Sequence, residues 1–102
     1  MSNPTVILLV RFKSRLSFEQ VMKIAKERIP QFRALEGLEQ KYYLQDPESG
    51  EIAGLYLWRS ADDLAVYRES ALRASIAEAY QVEGEPRVEV YRVVETLRSE
   101  AS

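Results

Sequence analysis

The chain contains no cysteine and no histidine. Without cysteine there is no disulfide framework, thiolate nucleophile or sulfur-ligated metal, and no dependence on an oxidising compartment. Without histidine, Ser/His and Cys/His catalytic pairs, the proximal haem ligand and the usual zinc sites are excluded as well. Basic excess is also missing: 14 Lys and Arg stand against 16 Asp and Glu, a net charge of -2. Such a surface does not follow a phosphate backbone or an anionic bilayer, so neither nucleic acid nor a membrane is an expected partner. No D-x-D-x-D-G loop and no glycine-rich phosphate loop occurs, and the expectation is no bound metal, haem, flavin or other cofactor. The opening MSNPTVILLVRFK has no basic n-region, and its apolar run from Val6 to Val10 is too short for a signal or a spanning helix, which points to the cytoplasm.

The chain does have the composition of one globular unit, with 102 residues, 46% hydrophobic and 29% charged. Residues 1–102 read as a single domain. A chain of this size buries only about 60 to 68% of its unfolded surface, so association with a second copy is expected.

TVILLVRFK (5–13) is too short and too continuously aliphatic for a surface helix and reads as a buried strand. Ser17 and Gln20 form an S-x-x-Q capping box, with Leu16 and Val21 as its hydrophobic staple, so a helix starts at Phe18. Phe18, Val21, Met22, Ala25, Ile29 and Phe32 fall on one face of it. Pro30 is expected to kink or interrupt this helix, and Gly37 to lie at its end. Residues 38–46 and 51–59 flank PESG, whose proline and glycine suit a hairpin turn. Ser60 caps a second helix with Asp62 and Asp63 at its positive end and Leu64, Tyr67 and Ala71 inward. Ile76 to Tyr80 suits a further helical turn, and RVEVYRVVETL after Pro86 a fourth strand. The order βαββαβ is the α+β, ferredoxin-like arrangement: a four-stranded antiparallel sheet with both helices on one face.

Strand alternation divides the side chains between two faces. Even positions place Val6, Leu8, Val10, Phe12, Leu38, Gln40, Tyr42, Leu44, Gly54, Tyr56, Trp58, Val88, Val90, Arg92 and Val94 together. Odd positions place Ile7, Leu9, Leu55 and Leu57 together with Arg11, Glu39, Lys41 and Glu89, four groups suited to ion pairs. An apolar odd face requires cover. On the even face, Trp58, Tyr56 and Tyr42 read first as core aromatics and second as walls of a site, because an indole N–H and two hydroxyls need partners or a wet cavity. Arg92 interrupts a valine run and either snorkels or faces the same space. Gln40 poses the same question with less charge.

The strand GLYLWRS, the helix ADDLAVYRES after it, the preceding PQFRALEGLEQKYYLQDPESGE and the valine-rich last strand resemble the dimeric α/β-barrel superfamily. The resemblance is to its monooxygenases related to the antibiotic biosynthesis monooxygenases, and it runs from Val6 to about Leu97. It implies a homodimer in which two sheets pack into a barrel, covering the odd face, and a pocket between sheet and helices on the Trp58 side. Members of the superfamily oxygenate electron-rich aromatics such as anthrones and quinols without metal or flavin, or degrade haem. A strand-one Asn, strand-three Trp and helix-two His are common in the group. Trp58 matches the tryptophan, whereas the Asn and the His have no counterpart, which removes the haem branch.

Two functional readings follow. One is a cofactor-independent monooxygenase-like protein acting on a small phenolic or quinol-type aromatic. The other is a non-catalytic dimeric small-molecule-binding or stress-associated module. In both, Trp58, Tyr56, Tyr42, Tyr67, Arg92 and Gln40 are the candidate substrate-binding residues, and no catalytic residue is assigned. An RNA-recognition module shares the element order, but the strand-three motif it requires is absent and the charge balance is wrong.

Overall fold

The computed structural model describes residues 4–98. Its elements run β1 (Val6–Ser14), α1 (Phe18–Arg33), β2 (Leu38–Gln45), β3 (Ile52–Trp58), α2 (Ala61–Arg68), α3 (Ala71–Ala74), α4 (Ile76–Ala79) and β4 (Val82–Arg92). The strands form one antiparallel sheet in the order β2-β3-β1-β4. This is the ferredoxin-like α+β fold expected from the element order. The aliphatic β1 occupies an inner position, where both of its edges are paired.

Burial alternates along β1 and β3 as two-residue periodicity requires. Val6, Leu8, Val10, Phe12, Tyr56 and Trp58 are buried on the helix side. Val21, Ala25 and Phe32 of α1, Leu64 and Tyr67 of α2, Ile76 and Tyr80 complete the core. Each of the larger aliphatic or aromatic side chains contributes about 1.5 to 3 kcal/mol by leaving water. Ala71 instead begins α3 and is exposed.

Local signals position the helices. Ser17 accepts from the Gln20 amide, and the Gln20 side chain accepts from the Ser17 amide, completing the capping box. The Ser60 side chain accepts from the Asp63 amide, which starts α2. Pro30 does not break α1: the helix continues to Arg33, and the Ala34 amide bonds to the Pro30 carbonyl. Lys26 and Pro30 are both exposed, so the bond that proline cannot donate falls on the water side of the helix. In the hairpin turn, Asp46 accepts from the amides of Glu48 and Ser49, and Gly50 has φ +78°.

Two pairing irregularities change the strand reading. The last strand begins at Val82 rather than after Pro86, because Val82 and Glu83 pair with Ser14 and Lys13 across a register shift. Gly84 at φ +71° and Pro86 are accommodated there on an edge strand, where a lost donor is tolerated. Val94 and Leu97 lie beyond its end and are exposed. The second shift lies between Leu38 and Gln40 of β2.

The sheet face away from the helices carries Ile7, Leu9, Leu55 and Leu57 half-buried, with Tyr42, Leu44 and Tyr91 exposed. Arg11, on this face, bonds Glu51 at 2.9 Å and also pairs with Asp46, joining β1 to both ends of the hairpin turn. The amides of Glu48 and Ser49, and then Arg11, hold the Asp46 carboxyl down at about 2.

Gly37 has φ +83°, and a Cβ built there would lie 2.3 Å from Asp63 Cγ. Its carbonyl accepts from the Arg59 amide. Backbone strain and overlap therefore act together, and Gly37→Ala is expected to lower stability by about 1 to 3 kcal/mol in urea unfolding.

Candidate functional site

Along β2, Leu38 pairs with Trp58, but Gln40 pairs with Leu57. One extra residue has entered β2 at Glu39, and every later side chain is turned to the opposite face. Lys41 and Tyr43 consequently sit opposite Tyr56 and Gly54 on the helix side, whereas Gln40, Tyr42 and Leu44 join the outer face. This corrects the alternation expected for Gln40, Tyr42 and Lys41. Tyr42 is 49% exposed, on the face opposite Trp58.

A cavity of about 160 Å³ lies between α1 and the sheet. Its walls include Val10, Phe12, Val21, Tyr43, Tyr56 and Tyr80, with Phe18 half-exposed beside them. Lys41 is the single charged residue among its described lining residues. An apolar cavity of about 150 Å³ is known to admit one benzene ring, so this space suits a monocyclic aromatic. An outer cleft of about 300 Å³ between the end of α1 and β2 is also lined by Lys41 and Tyr43, which thus separate it from the inner cavity.

Lys41 reaches this position over Gly54, where an added Cβ would lie 2.9 Å from Tyr56 Cε1 and 3.4 Å from Lys41 Cε. Glycine here makes room for both side chains. Lys41 Nζ stands 3.5 Å from the ring centre of Phe32, 4.4 Å from that of Tyr43 and 4.5 Å from that of Tyr56. Burial, and then the charge of Arg28, lower its pKa to about 7. The three ring faces act in the opposite direction, since their quadrupoles attract a cation. Burial also raises the hydroxyls around Lys41: Tyr80 is pushed up to about 12, and Tyr43, Tyr56 and Tyr67 also move upward. They remain O–H donors at neutral pH.

Trp58 is fully buried and does not line the cavity. It stacks on Tyr56 with a 7° interplanar angle and lies 5.3 Å from the Tyr67 ring. Its indole N–H has no hydrogen-bond partner among the described residues. The hydroxyls of Tyr67 and Tyr56 share a long hydrogen bond of 3.4 Å. Of the expected residues, then, Tyr56 borders the cavity while Trp58 and Tyr67 support it from behind. Arg92 is exposed and pairs with Val6, so β1 separates it from Trp58.

Lys41, Tyr43 and Tyr80 were missed by alternation. Reading KYYLQ one step out of phase would have placed Lys41 and Tyr43 inward, but burying a lysine argues against that phase. Strand pairing decides it.

The family model described as "Putative mono-oxygenase ydhR" matches residues 7–100. Among solved structures, Rv0793 from Mycobacterium tuberculosis is similar at 18% identity and a TM-score of 0.73, covering 91% of this chain and 98% of its own. SnoaB, a cofactor-independent oxygenase from Streptomyces nogalater, is similar at 12% identity and a TM-score of 0.74, covering 92% and 97%. NE2512, a protein of unknown function from Nitrosomonas europaea, aligns at 12% identity and a TM-score of 0.73, covering 99% and 100%. No curated protein matches.

The lysine gives a pH test. A Lys pKa depressed on folding means that the unfolded chain binds more protons between about 7 and the ordinary lysine value. Native stability should therefore rise from pH 7 to about 9.5, below the range where tyrosines ionise. Lys41→Met should be the more stable protein at pH 7, with its advantage shrinking across that window in urea titrations.

Proposed function

The chain belongs to the family whose model is described as "Putative mono-oxygenase ydhR", and from that footing we propose that it oxygenates a small phenolic or quinol-type aromatic without a cofactor. The observation that carries the proposal is the lysine amine, the single charged group among the described lining residues of a largely apolar, ring-walled cavity with room for one aromatic ring. In such a reaction the ionised substrate donates an electron to O₂, so the protein need only bind, orient and stabilise an oxyanion. Lys41 suits this task. The phenolic O–H breaks as an N–H forms on Nζ, leaving a phenolate beside an ammonium in a dry space where their attraction is strong. Electron transfer gives a phenoxyl radical and superoxide, whose combination forms a C–O bond. The peroxide takes the proton held on Nζ, the C–H bond at that carbon breaks as the O–O bond does, and the departing hydroxide takes that proton and leaves as water, with the other oxygen left as a quinone carbonyl. Tyr43, Tyr56 and Tyr80 supply O–H groups around the ring, with Trp58 and Tyr67 bracing Tyr56.

We assign the working unit as a homodimer joined through the outer sheet faces, in a cytoplasmic setting. The half-buried Ile7, Leu9, Leu55 and Leu57 support this arrangement, since no described element covers them. The alternative of a binding module without turnover draws on the absence of histidine from the chain.

Light scattering should report twice the chain mass at micromolar concentration, and Leu55→Glu should yield a monomer or an unfolded chain. A monomeric native protein would remove the dimer. For the reaction, a panel of monocyclic phenols and quinols is expected to quench tryptophan fluorescence saturably and to drive O₂ uptake above the protein-free rate. Lys41→Met should reduce that uptake by about 10²-fold or more, the usual effect of losing one oxyanion-stabilising group. Saturable quenching with no uptake would favour the binding module, and neither signal would end the proposal.

A further inference from the structure

Phenolate pairing does not exhaust what the Lys41 amine can do. We propose that Lys41 is also a carbonyl-capturing amine, whose Nζ condenses with a monocyclic aromatic aldehyde seated in the cavity between α1 and the sheet to form a Schiff base. This proposal rests on the cavity and the amine and does not depend on oxygenation.

Placement is the first argument. The side chain crosses Gly54 and is held between the rings of Phe32, Tyr43 and Tyr56, which limits where Nζ can lie relative to a ring bound in the same space. A fixed nucleophile beside a shaped apolar cavity provides the orientation on which intramolecular rates depend.

Charge is the second. The charged groups around Lys41 are Arg28 and Arg33 from α1 and Glu39 on its own strand. Tyr43, Tyr56 and Tyr80 face it from β2, β3 and the end of α4. Arg28 acts to discharge the lysine, as burial does, and the tyrosines remain neutral near pH 7. A desolvated lysine near another cation is a familiar route to an amine that is nucleophilic at neutral pH.

The product also suits the space better than the reactant. Lys41 is half-buried, and its ammonium loses hydration that the ring faces restore only in part, whereas a neutral imine conjugated to an aromatic ring resembles its surroundings.

The step balances without an oxidant or reductant. The Nζ lone pair attacks the carbonyl carbon, the C=O π bond opens, and a proton moves from nitrogen to oxygen to give the carbinolamine. A neighbouring tyrosine O–H protonates the departing oxygen, water leaves, the C=N bond forms, and the remaining N–H proton returns to the tyrosine oxygen. Water can exit into the outer cleft that Lys41 and Tyr43 border.

The chain contains only Lys13, Lys23, Lys26 and Lys41, so the test is resolved by mapping. The full-length protein is treated at pH 7 with benzaldehyde and sodium cyanoborohydride, which reduces any imine to a stable benzylamine. The products are followed by intact mass and peptide analysis. The expected result is one benzyl group on the Lys41 peptide, beside any on the chain's α-amine, which peptide analysis separates; it is added on the order of 10-fold or more faster than at Lys13, Lys23 or Lys26. The preference among the lysines should vanish in urea, and no lysine should show the fast addition in Lys41→Arg. Selectivity in the native protein is itself decisive, so the test survives a variant that fails to fold. Modification of Lys41 no faster than of the other three lysines, or an unchanged fast addition at a lysine in a folded Lys41→Arg, would overturn the proposal. Failure of the phenol panel to consume O₂ would leave it standing.

Discussion

One extra residue in β2 determines what this protein presents to a ligand. Because Leu38 pairs with Trp58 while Gln40 pairs with Leu57, the side chains after Glu39 exchange faces. Without that irregularity, Gln40 and Tyr42 would look toward α1, and Lys41 would stand on the outer face. With it, a lysine enters the helix-facing layer, and a tyrosine and a leucine join the apolar outer face. The bulge thus sets both halves of the functional reading. It supplies the amine of the inner cavity and adds Tyr42 and Leu44 to the surface that a second copy would cover.

Placing a lysine in that layer is unfavourable unless its head group finds compensation. Three aromatic ring faces provide part of it. A carboxylate partner would hold the amine charged and occupied, whereas ring faces stabilise the cation only moderately and leave it able to lose its proton. The remaining aromatic residues act as a frame. Trp58 stacks behind Tyr56, Tyr67 packs on both, and Phe32 lies against Tyr56 and Tyr67. A cluster of this kind restricts the motion of Tyr56 and therefore of the cavity wall. The tryptophan matters for its plane, since its N–H is unpartnered among the described residues.

Much of the fold is legible in the sequence because its signals are local. The Ser17/Gln20 box, the Ser60 cap, the PESG turn and the aliphatic β1 each specify an element from a few neighbouring residues. Features decided by distant pairing are not legible in that way. Nothing within KYYLQ reports the bulge at Glu39, and the start of β4 at Val82 depends on Lys13 and Ser14. Pro30 was misleading for a related reason: its effect depends on whether the helix face it occupies is wet. Within the site, Tyr56, Tyr67 and Trp58 could be grouped from alternation and helix spacing alone. The chemically decisive Lys41 could not, because a general rule about buried lysines points the other way.

The account turns on Lys41 being enclosed by rings on the helix side of the sheet. Its amine can be observed directly by following lysine 13Cε and 15Nζ resonances in the folded protein between pH 5 and 11, the range that spans its expected and ordinary ionisations. The prediction is that one of the four lysines, displaced upfield by ring currents and assigned by Lys41→Arg, titrates near 7. A Lys41 resonance with no titration step near 7 and no ring-current displacement would place Lys41 in water and contradict the account.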